Sequence, residues 1–183
     1  QTENAPLYLS SDYGATWSTV SDISGTNYVG YANNNTAISS TGQYQLAFDS
    51  NNNNLWYSSD YGGTFSQLSS VSASSRVHIC MSSSGKYQYV TTGYSSLYKS
   101  TDYGLNWTTV TVSSDIFYSA IACSSSGKYV SIATIIDGYI WKSSDYGESW
   151  TNSGTPITGS WDTAMAMSAS GQYRLASYNG SST

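Results

Sequence analysis

One eight-residue phrase occurs four times in the chain: SSDYGATW from Ser10 to Trp17, SSDYGGTF from Ser58 to Phe65, STDYGLNW from Ser100 to Trp107 and SSDYGESW from Ser143 to Trp150. A hydroxyl, an aspartate and a glycine at fixed offsets supply the chemistry of a tied turn. The carboxylate accepts hydrogen bonds from backbone N–H groups that follow it, and the glycine takes φ > 0 without a Cβ clash. Each copy follows a short alternating apolar run (Leu7-Tyr8-Leu9, Leu55-Trp56-Tyr57, Leu97-Tyr98-Lys99, Ile140-Trp141-Lys142), which reads as a strand entering a hairpin. The closing aromatic, Trp17, Phe65, Trp107 or Trp150, is expected to swing back into the interior and anchor the turn.

Spacing turns four corners into an architecture. Asp12, Asp60, Asp102 and Asp145 stand 48, 42 and 43 residues apart. A second motif interleaves with them: Ala37 to Leu46, Cys80 to Tyr89, Ala122 to Ser131 and Ala166 to Leu175, whose turn glycines Gly42, Gly85, Gly127 and Gly171 are 43, 42 and 44 apart. Two hairpins per repeat make four short strands, A to D from the inside outwards, which is the content of one propeller blade. Strands A and B flank the Ser-Gly-Lys/Gln-Tyr turn, with A at Thr36 to Ser39 and its equivalents and B starting at Tyr44, Tyr87, Tyr129 and Tyr173. Strands C and D flank the Asp-Tyr-Gly turn. No segment has useful helical periodicity, so the expected class is all-β. It is a single β-propeller domain over 1–183 with repeats at about 7–54, 55–96, 97–139 and 140–183. The first repeat opens on strand C and the last finishes on strand B, so one blade would be assembled from both ends of the chain and close the ring. A four-bladed ring, an eight-bladed ring shared by two chains, and repeats continuing into a longer polypeptide or filament all satisfy that pattern.

The four phrases resemble Asp-box repeats, also called bacterial neuraminidase repeats, whose motif is Ser/Thr-x-Asp-x-Gly-x-Thr-Trp. They depart from it at Phe65, Asn106 and Ser149. The resemblance implies a β-propeller in which Asp12, Gly14, Trp17, Asp60, Gly62, Phe65, Asp102, Gly104, Trp107, Asp145, Gly147 and Trp150 are structural. Such turns occur in sialidases, sortilin-type receptors and other propellers, remote from any active site. A sialidase also resembles its relatives in a three-arginine cluster, a Tyr–Glu nucleophile pair and an Asp acid/base. This chain has two arginines, Arg76 and Arg174, the second on a B strand, so that activity is disfavoured. A generic glycosidase needs two carboxylates roughly 5–10 Å apart, and Asp115 with Asp162, or Asp22 with Asp137, are the pairs the loops offer.

Only 9% of residues are charged, and Ser, Thr, Asn, Gly and Tyr dominate, which fits a secreted, cell-surface or virion-surface protein. A net charge of −5 with six Lys and Arg argues against a nucleic-acid partner. No apolar run reaches membrane-spanning length and no leader is present, Gln1 suiting a processed N-terminus. Cys80 lies five residues before its turn glycine and Cys123 four before its own, which points them to opposite strand faces. Two small buried thiols and a disulfide both remain open. Two cysteines and one histidine make no zinc set, and no metal or cofactor is expected. The alternative is Ca²⁺ held by the loop acids Asp22, Asp49, Asp115, Asp137 and Asp162 with the Asn51–Asn54 run. Sequons permit N-glycans at Asn34, Asn106 and Asn179.

The repeated turns fall on one rim and the variable connections on the other, the loop face, where recognition is usually housed. Aligned on the turn glycine, Asn33, Arg76, Tyr118 and Asp162 stand nine residues before it and His78 seven before it, at the entrance of the innermost strands. Such a ring can hold a small polar or sugar ligand, or its members can satisfy one another, as in an Arg76–Asp162 pair. His78 reads as channel-lining and not as a catalytic base. The box tyrosines Tyr13, Tyr61, Tyr103 and Tyr146, identical in every copy, read as framework first and as an exposed patch second. The function this supports is a non-catalytic extracellular binding or assembly module that recognises glycan or protein through the loop face, with self-assembly into a dimer or filament. The alternatives are a structural subunit of a fibre, coat or appendage, and a glycoside hydrolase.

Overall fold

A computed structural model describes residues 7–20, 23, 36–49, 52–73, 76–93, 96–114, 117–154, 156 and 164–177. Three complete four-stranded antiparallel sheets follow one another along the chain. The first holds β3 (Thr36–Ile38), β4 (Gln45–Asp49), β5 (Asn54–Ser58) and β6 (Ser66–Gln67). The second holds β7 (His78–Met81), β8 (Gln88–Thr92), β9 (Ser96–Ser100) and β10 (Thr108–Val110). The third holds β11 (Tyr118–Cys123), β12 (Val130–Thr134), β13 (Ile140–Ser143) and β14 (Thr151–Asn152). Two-stranded sheets flank them: β1 (Tyr8–Leu9) with β2 (Ser18–Thr19), and β15 (Met165–Met167) with β16 (Arg174–Ala176). Each full sheet is an A-B-C-D meander, as the two interleaved turn motifs require. The B strands begin one residue later than the tyrosine positions predict. The reason is chemical: the N–H groups of Tyr44, Tyr87 and Tyr129 donate to the hydroxyls of Ser39, Ser82 and Ser124 (3.0–3.1 Å) instead of entering the ladder.

The core lies between successive sheets. The B strands β4, β8 and β12 are buried along their whole length, because both of their faces are covered. Leu46, Phe48, Leu55, Val77, Ile79 and Val90 fill the space between the first and second sheets. Tyr89, Leu97, Tyr118, Ile121, Val130 and Ile132 fill that between the second and third. Cys80 and Cys123 both pack against this second cluster as free thiols. Opposite faces of neighbouring sheets look at each other, so thiols on opposite faces meet across the sheet boundary. Burial, with the Cys123 thiol beside it, pushes the Cys80 thiol well above its ordinary range.

Polar links run from sheet to sheet on the turn rim. Ser40 N–H donates to the Ser83 carbonyl (2.8 Å), Ser83 N–H to Ser125 (2.8 Å) and Ser125 N–H to Ala169 (3.0 Å). The Tyr44 and Tyr103 rings lie 5.0 Å apart, and those of Tyr87 and Tyr146 stack at 4.5 Å. Lys99, its stem buried, reaches Glu148 at 2.7 Å. Every one of these contacts joins neighbouring sheets. The described sheets run in series with β1–β2 and β15–β16 as separate two-stranded sheets at the two ends of the series, and among the described residues no sheet takes strands from both ends of the chain.

Candidate functional site

The repeated turn is a two-tier hydrogen-bonded unit. In each copy the serine hydroxyl accepts the N–H of the glycine four residues on (Gly14, Gly62, Gly104 at 2.9 Å, Gly147 at 2.8 Å) and donates to the aspartate (2.8–2.9 Å). The same carboxylate oxygen accepts the N–H of Thr16, Thr64, Asn106 or Ser149 at 2.9–3.0 Å, and the other oxygen accepts that residue's side chain. The position requires a short polar donor and not threonine as such, which explains the tolerated Asn106 and Ser149. The Asn106 amide of the predicted sequon is thereby committed to Asp102. Sequence reasoning assigned the left-handed conformation to the glycine alone, yet the preceding tyrosine shares it: φ is 60–64° at Tyr13, Tyr61, Tyr103 and Tyr146. Its backbone is held by the neighbouring hairpin, Tyr61, Tyr103 and Tyr146 donating N–H to the carbonyls of Gln43, Lys86 and Lys128 at 3.0–3.1 Å.

The closing aromatics behave unequally. Phe65 is 7% exposed, and Trp107 and Trp150 donate their indole N–H to the carbonyls of Gly104 (3.0 Å) and Gly147 (3.2 Å). Trp17 is 64% exposed, correcting the expectation that it anchors inside. Among the described residues its turn has no A–B hairpin beside it.

These contacts set the charge on the turns. The Thr16 hydroxyl and then its N–H hold Asp12 down at about 2, and the Ser149 hydroxyl and N–H hold Asp145 at about 2. Asp60 is lowered chiefly by the Thr64 N–H. At Asp102 burial pushes upward, but the Asn106 amide, the Asn106 N–H and Ser100 together prevail. All four carboxyls titrate below the ordinary 3.8. The stability they contribute is therefore fully present above about pH 4 and is lost as the pH falls through the folded values toward 2. Thermal melts should be level from neutral pH down to roughly pH 5 and drop steeply below about pH 4, with Asp145→Asn removing part of the slope. A melting temperature indifferent to pH across that window would show that the turns are not held by ionised aspartate.

On the loop rim two carboxylates are described, and both serve their own loops. Asp137 accepts the Thr134 hydroxyl, the Tyr139 N–H (3.2 Å) and the Trp141 indole N–H (2.9 Å). Asp49 accepts the side-chain amide and N–H of Asn52 (2.7 and 3.4 Å). Among the described residues no three His, Cys, Asp or Glu side chains gather as a cation site. Arg76, left-handed at φ 68°, lays its guanidinium 5.5 Å from the centre of the Phe117 ring, and the Phe117 carbonyl accepts the Ile135 N–H (2.9 Å).

Of the candidates that alignment placed together, the structure describes Arg76, Tyr118 and His78. The β11–β12 register shifts between Tyr118 and Ala120. Tyr118 is fully buried in the cluster between the second and third sheets. Burial, aided by Asp137, pushes its phenol up, and its hydroxyl has no hydrogen-bond partner among the described residues. Phe117, one residue earlier and not singled out by sequence, is the residue that meets Arg76. His78 is buried on β7, opposite Thr91. Asn33 and Asp162 lie outside the described residues, as do Asp22, Asp115, Asn34 and Asn179. The group observed together on this rim is thus Arg76, Phe117, Tyr118 and Asp137, with Trp141 behind the carboxylate.

No family model and no curated protein matches the sequence. Solved structures do. A xyloglucanase of glycoside hydrolase family 74 from Xanthomonas campestris overlays with a TM-score of 0.66 at 16% identity, covering 94% of this chain and 32% of that one. YCF48 bound to a D1 peptide gives 0.55 at 14% identity over 80% of this chain and 51% of that one. A chain of a nidogen/laminin complex gives 0.59 at 10% identity over 84% and 57%. At these identities the likeness concerns the fold alone, and this chain spans only about a third to just over half of each neighbour's length. The chain is similar to β-propeller proteins, and its successive four-stranded sheets are the arrangement those proteins share.

Proposed function

We propose that this chain is a non-catalytic binding and assembly module of the Asp-box type, working outside the cell, whose loop rim takes a protein or glycan partner. The observation that carries the reading is what its carboxylates do. Every described aspartate with a shifted pKa is shifted down by hydrogen bonds from its own turn. The two on the loop rim, Asp49 and Asp137, are taken up by loop amides, a hydroxyl and an indole. A glycosidase acid needs the opposite, a carboxyl whose pKa is raised. The rim instead offers the guanidinium of Arg76, half-buried and held over the buried Phe117 ring, and arginine is a residue type enriched where partners are anchored at interfaces. Structural neighbours solved with a peptide and within a laminin complex support a protein partner.

The family 74 glycoside hydrolases among the neighbours support hydrolysis as the second reading. Two assays with one preparation separate them. Incubation with xyloglucan oligosaccharides and with sialyllactose is expected to release no reducing sugar or sialic acid, while glycan-array and extracellular-matrix protein panels show binding that Arg76→Ala weakens. Turnover abolished by Asp162→Asn would establish the hydrolase instead.

A further inference from the structure

The links between repeats form ladders, and each ladder stops with one member unmatched at either end of the series. On the turn rim the N–H to carbonyl series runs Ser40, Ser83, Ser125, Ala169; among the described residues the Ala169 N–H has no acceptor and the Ser40 carbonyl no donor. Within each complete sheet a turn tyrosine donates to the A–B turn, Tyr61 to Gln43, Tyr103 to Lys86 and Tyr146 to Lys128, which leaves Tyr13 and Gln172 over. Tyrosine rings meet across sheet boundaries as Tyr44–Tyr103 and Tyr87–Tyr146, so by position Tyr129 lacks Tyr13 and Tyr173 lacks Tyr61. The strands behave likewise. β4–β5, β8–β9 and β12–β13 are paired, whereas β1 pairs only with β2 and β16 only with β15.

Exposed apolar side chains stand at these unmatched edges. Leu175 occupies the repeat position of Leu46 and Tyr89, which are buried, yet it is 74% exposed, and Tyr173 is 71% exposed. Beside β1 lies a groove of about 300 Å³ walled by Leu7, Leu9, Trp17, Ile38, Leu46 and Phe65, where an A–B hairpin would sit. At the other end a hollow of about 530 Å³ is bounded by Tyr129, Lys142, Gly171, Gln172 and Arg174, the surface that would receive an Asp-Tyr-Gly turn. One end lacks what the other presents.

We propose that the β15–β16 hairpin of one copy of this chain fills the groove beside β1 of a second copy, and that two copies close on each other in this way into one ring. The pairing register follows from the three complete sheets: Gln45, Gln88 and Val130 stand opposite Ser58, Ser100 and Ser143, so Arg174, Leu175 and Ala176 stand opposite Ser10, Leu9 and Tyr8 of the other copy. Ala169 N–H then donates to the Ser40 carbonyl, Tyr13 N–H to the Gln172 carbonyl, and the rings of Tyr13 and Tyr61 meet those of Tyr129 and Tyr173. A second copy is the occupant because, among the described residues, the two edges stay unpaired within one chain while each presents what the other lacks. Closing both edges removes the template for open-ended pairing that a bare strand presents. The inference deepens the assembly half of the proposed function and is independent of what the loop rim binds.

The test uses the 183-residue chain of 19.7 kDa and two kinds of variant. Sedimentation equilibrium is expected to give about twice the chain mass, falling to a single chain in Leu175→Lys with an unchanged circular-dichroism spectrum, since Leu175 makes no buried contact within one chain. In a Cys80→Ala, Cys123→Ala background, Tyr8→Cys chains mixed with Ala176→Cys chains should give a covalent two-chain product on mild copper oxidation, and neither should do so alone. A single-chain mass for the unsubstituted protein, a Leu175→Lys protein that keeps the two-chain mass, or a Tyr8→Cys/Ala176→Cys double variant that links only within itself would each overturn the proposal. None of these readouts depends on glycan or protein binding, so a failed loop-rim reading leaves them intact.

Discussion

Gly85→Ala should leave the chain largely unable to hold its fold, losing about 2–5 kcal/mol, while Gly42→Ala at the equivalent turn loses about 1–2 kcal/mol. Both glycines are left-handed, φ +79° and +81°, so the conformational cost of an L side chain is shared. What differs is the neighbour. A Cβ on Gly85 would stand 2.3, 2.7 and 2.9 Å from Cδ2, Cγ and Cβ of Tyr44. That residue cannot step aside, because its Cβ is fixed to the chain at the start of β4 and its ring lies against Tyr103. A Cβ on Gly42 would meet only the Tyr61 ring at 3.9 Å. Gly127 and Gly171 repeat the Gly85 environment with Tyr87 and Tyr129, so Gly127→Ala should follow Gly85→Ala. Urea unfolding at low protein concentration reads the difference, and equal losses at Gly42 and Gly85 would remove the tyrosine from the explanation. In the two-copy ring Gly42 receives Tyr173 of the other copy, so Gly42→Ala should also lower the association constant, an effect Gly85→Ala has no means of imitating through that junction.

The contrast between these glycines marks how far the sequence could be read. Asp12, Asp60, Asp102 and Asp145 announce their turns because the tie is local: every partner lies within four residues. The A-to-D order follows from two interleaved periods and needs no knowledge of contacts between sheets. What depends on those contacts was not legible. The Tyr44–Tyr103 and Tyr87–Tyr146 ring contacts and the Lys99–Glu148 bridge join residues 59, 59 and 49 positions apart with no local pattern to signal them. At the candidate site one bulge in β11 was enough to defeat an alignment by position, sending Tyr118 into the core and bringing Phe117 to Arg76. Side-chain direction alternates along a strand, so a slip of one residue exchanges inside for outside. The cysteines show the same limit from the other side. Their faces were assigned from spacing, but that the two thiols adjoin depends on how neighbouring sheets stack.

Leu46→Ala and Leu175→Ala delete the same side chain at the same position of two repeats and should differ in kind. Leu46 is 1% exposed among Phe48, Leu55 and Val90, and truncation there should remove about 2–5 kcal/mol at any protein concentration, through lost burial and the cavity left behind. Leu175 stands in solvent within one chain, and its truncation should change the stability of an isolated chain by no more than about 0.5 kcal/mol. Mass action then supplies a discriminating signature. If Leu175 is buried only when a second copy covers it, the unsubstituted protein becomes harder to unfold as its concentration rises, and Leu175→Ala loses that gain progressively. The gap between the two melting curves should accordingly widen with concentration, whereas the gap opened by Leu46→Ala should stay constant. Parallel behaviour of the two variants across a hundredfold concentration series would mean that no second copy covers Leu175, and the two-copy ring would be overturned.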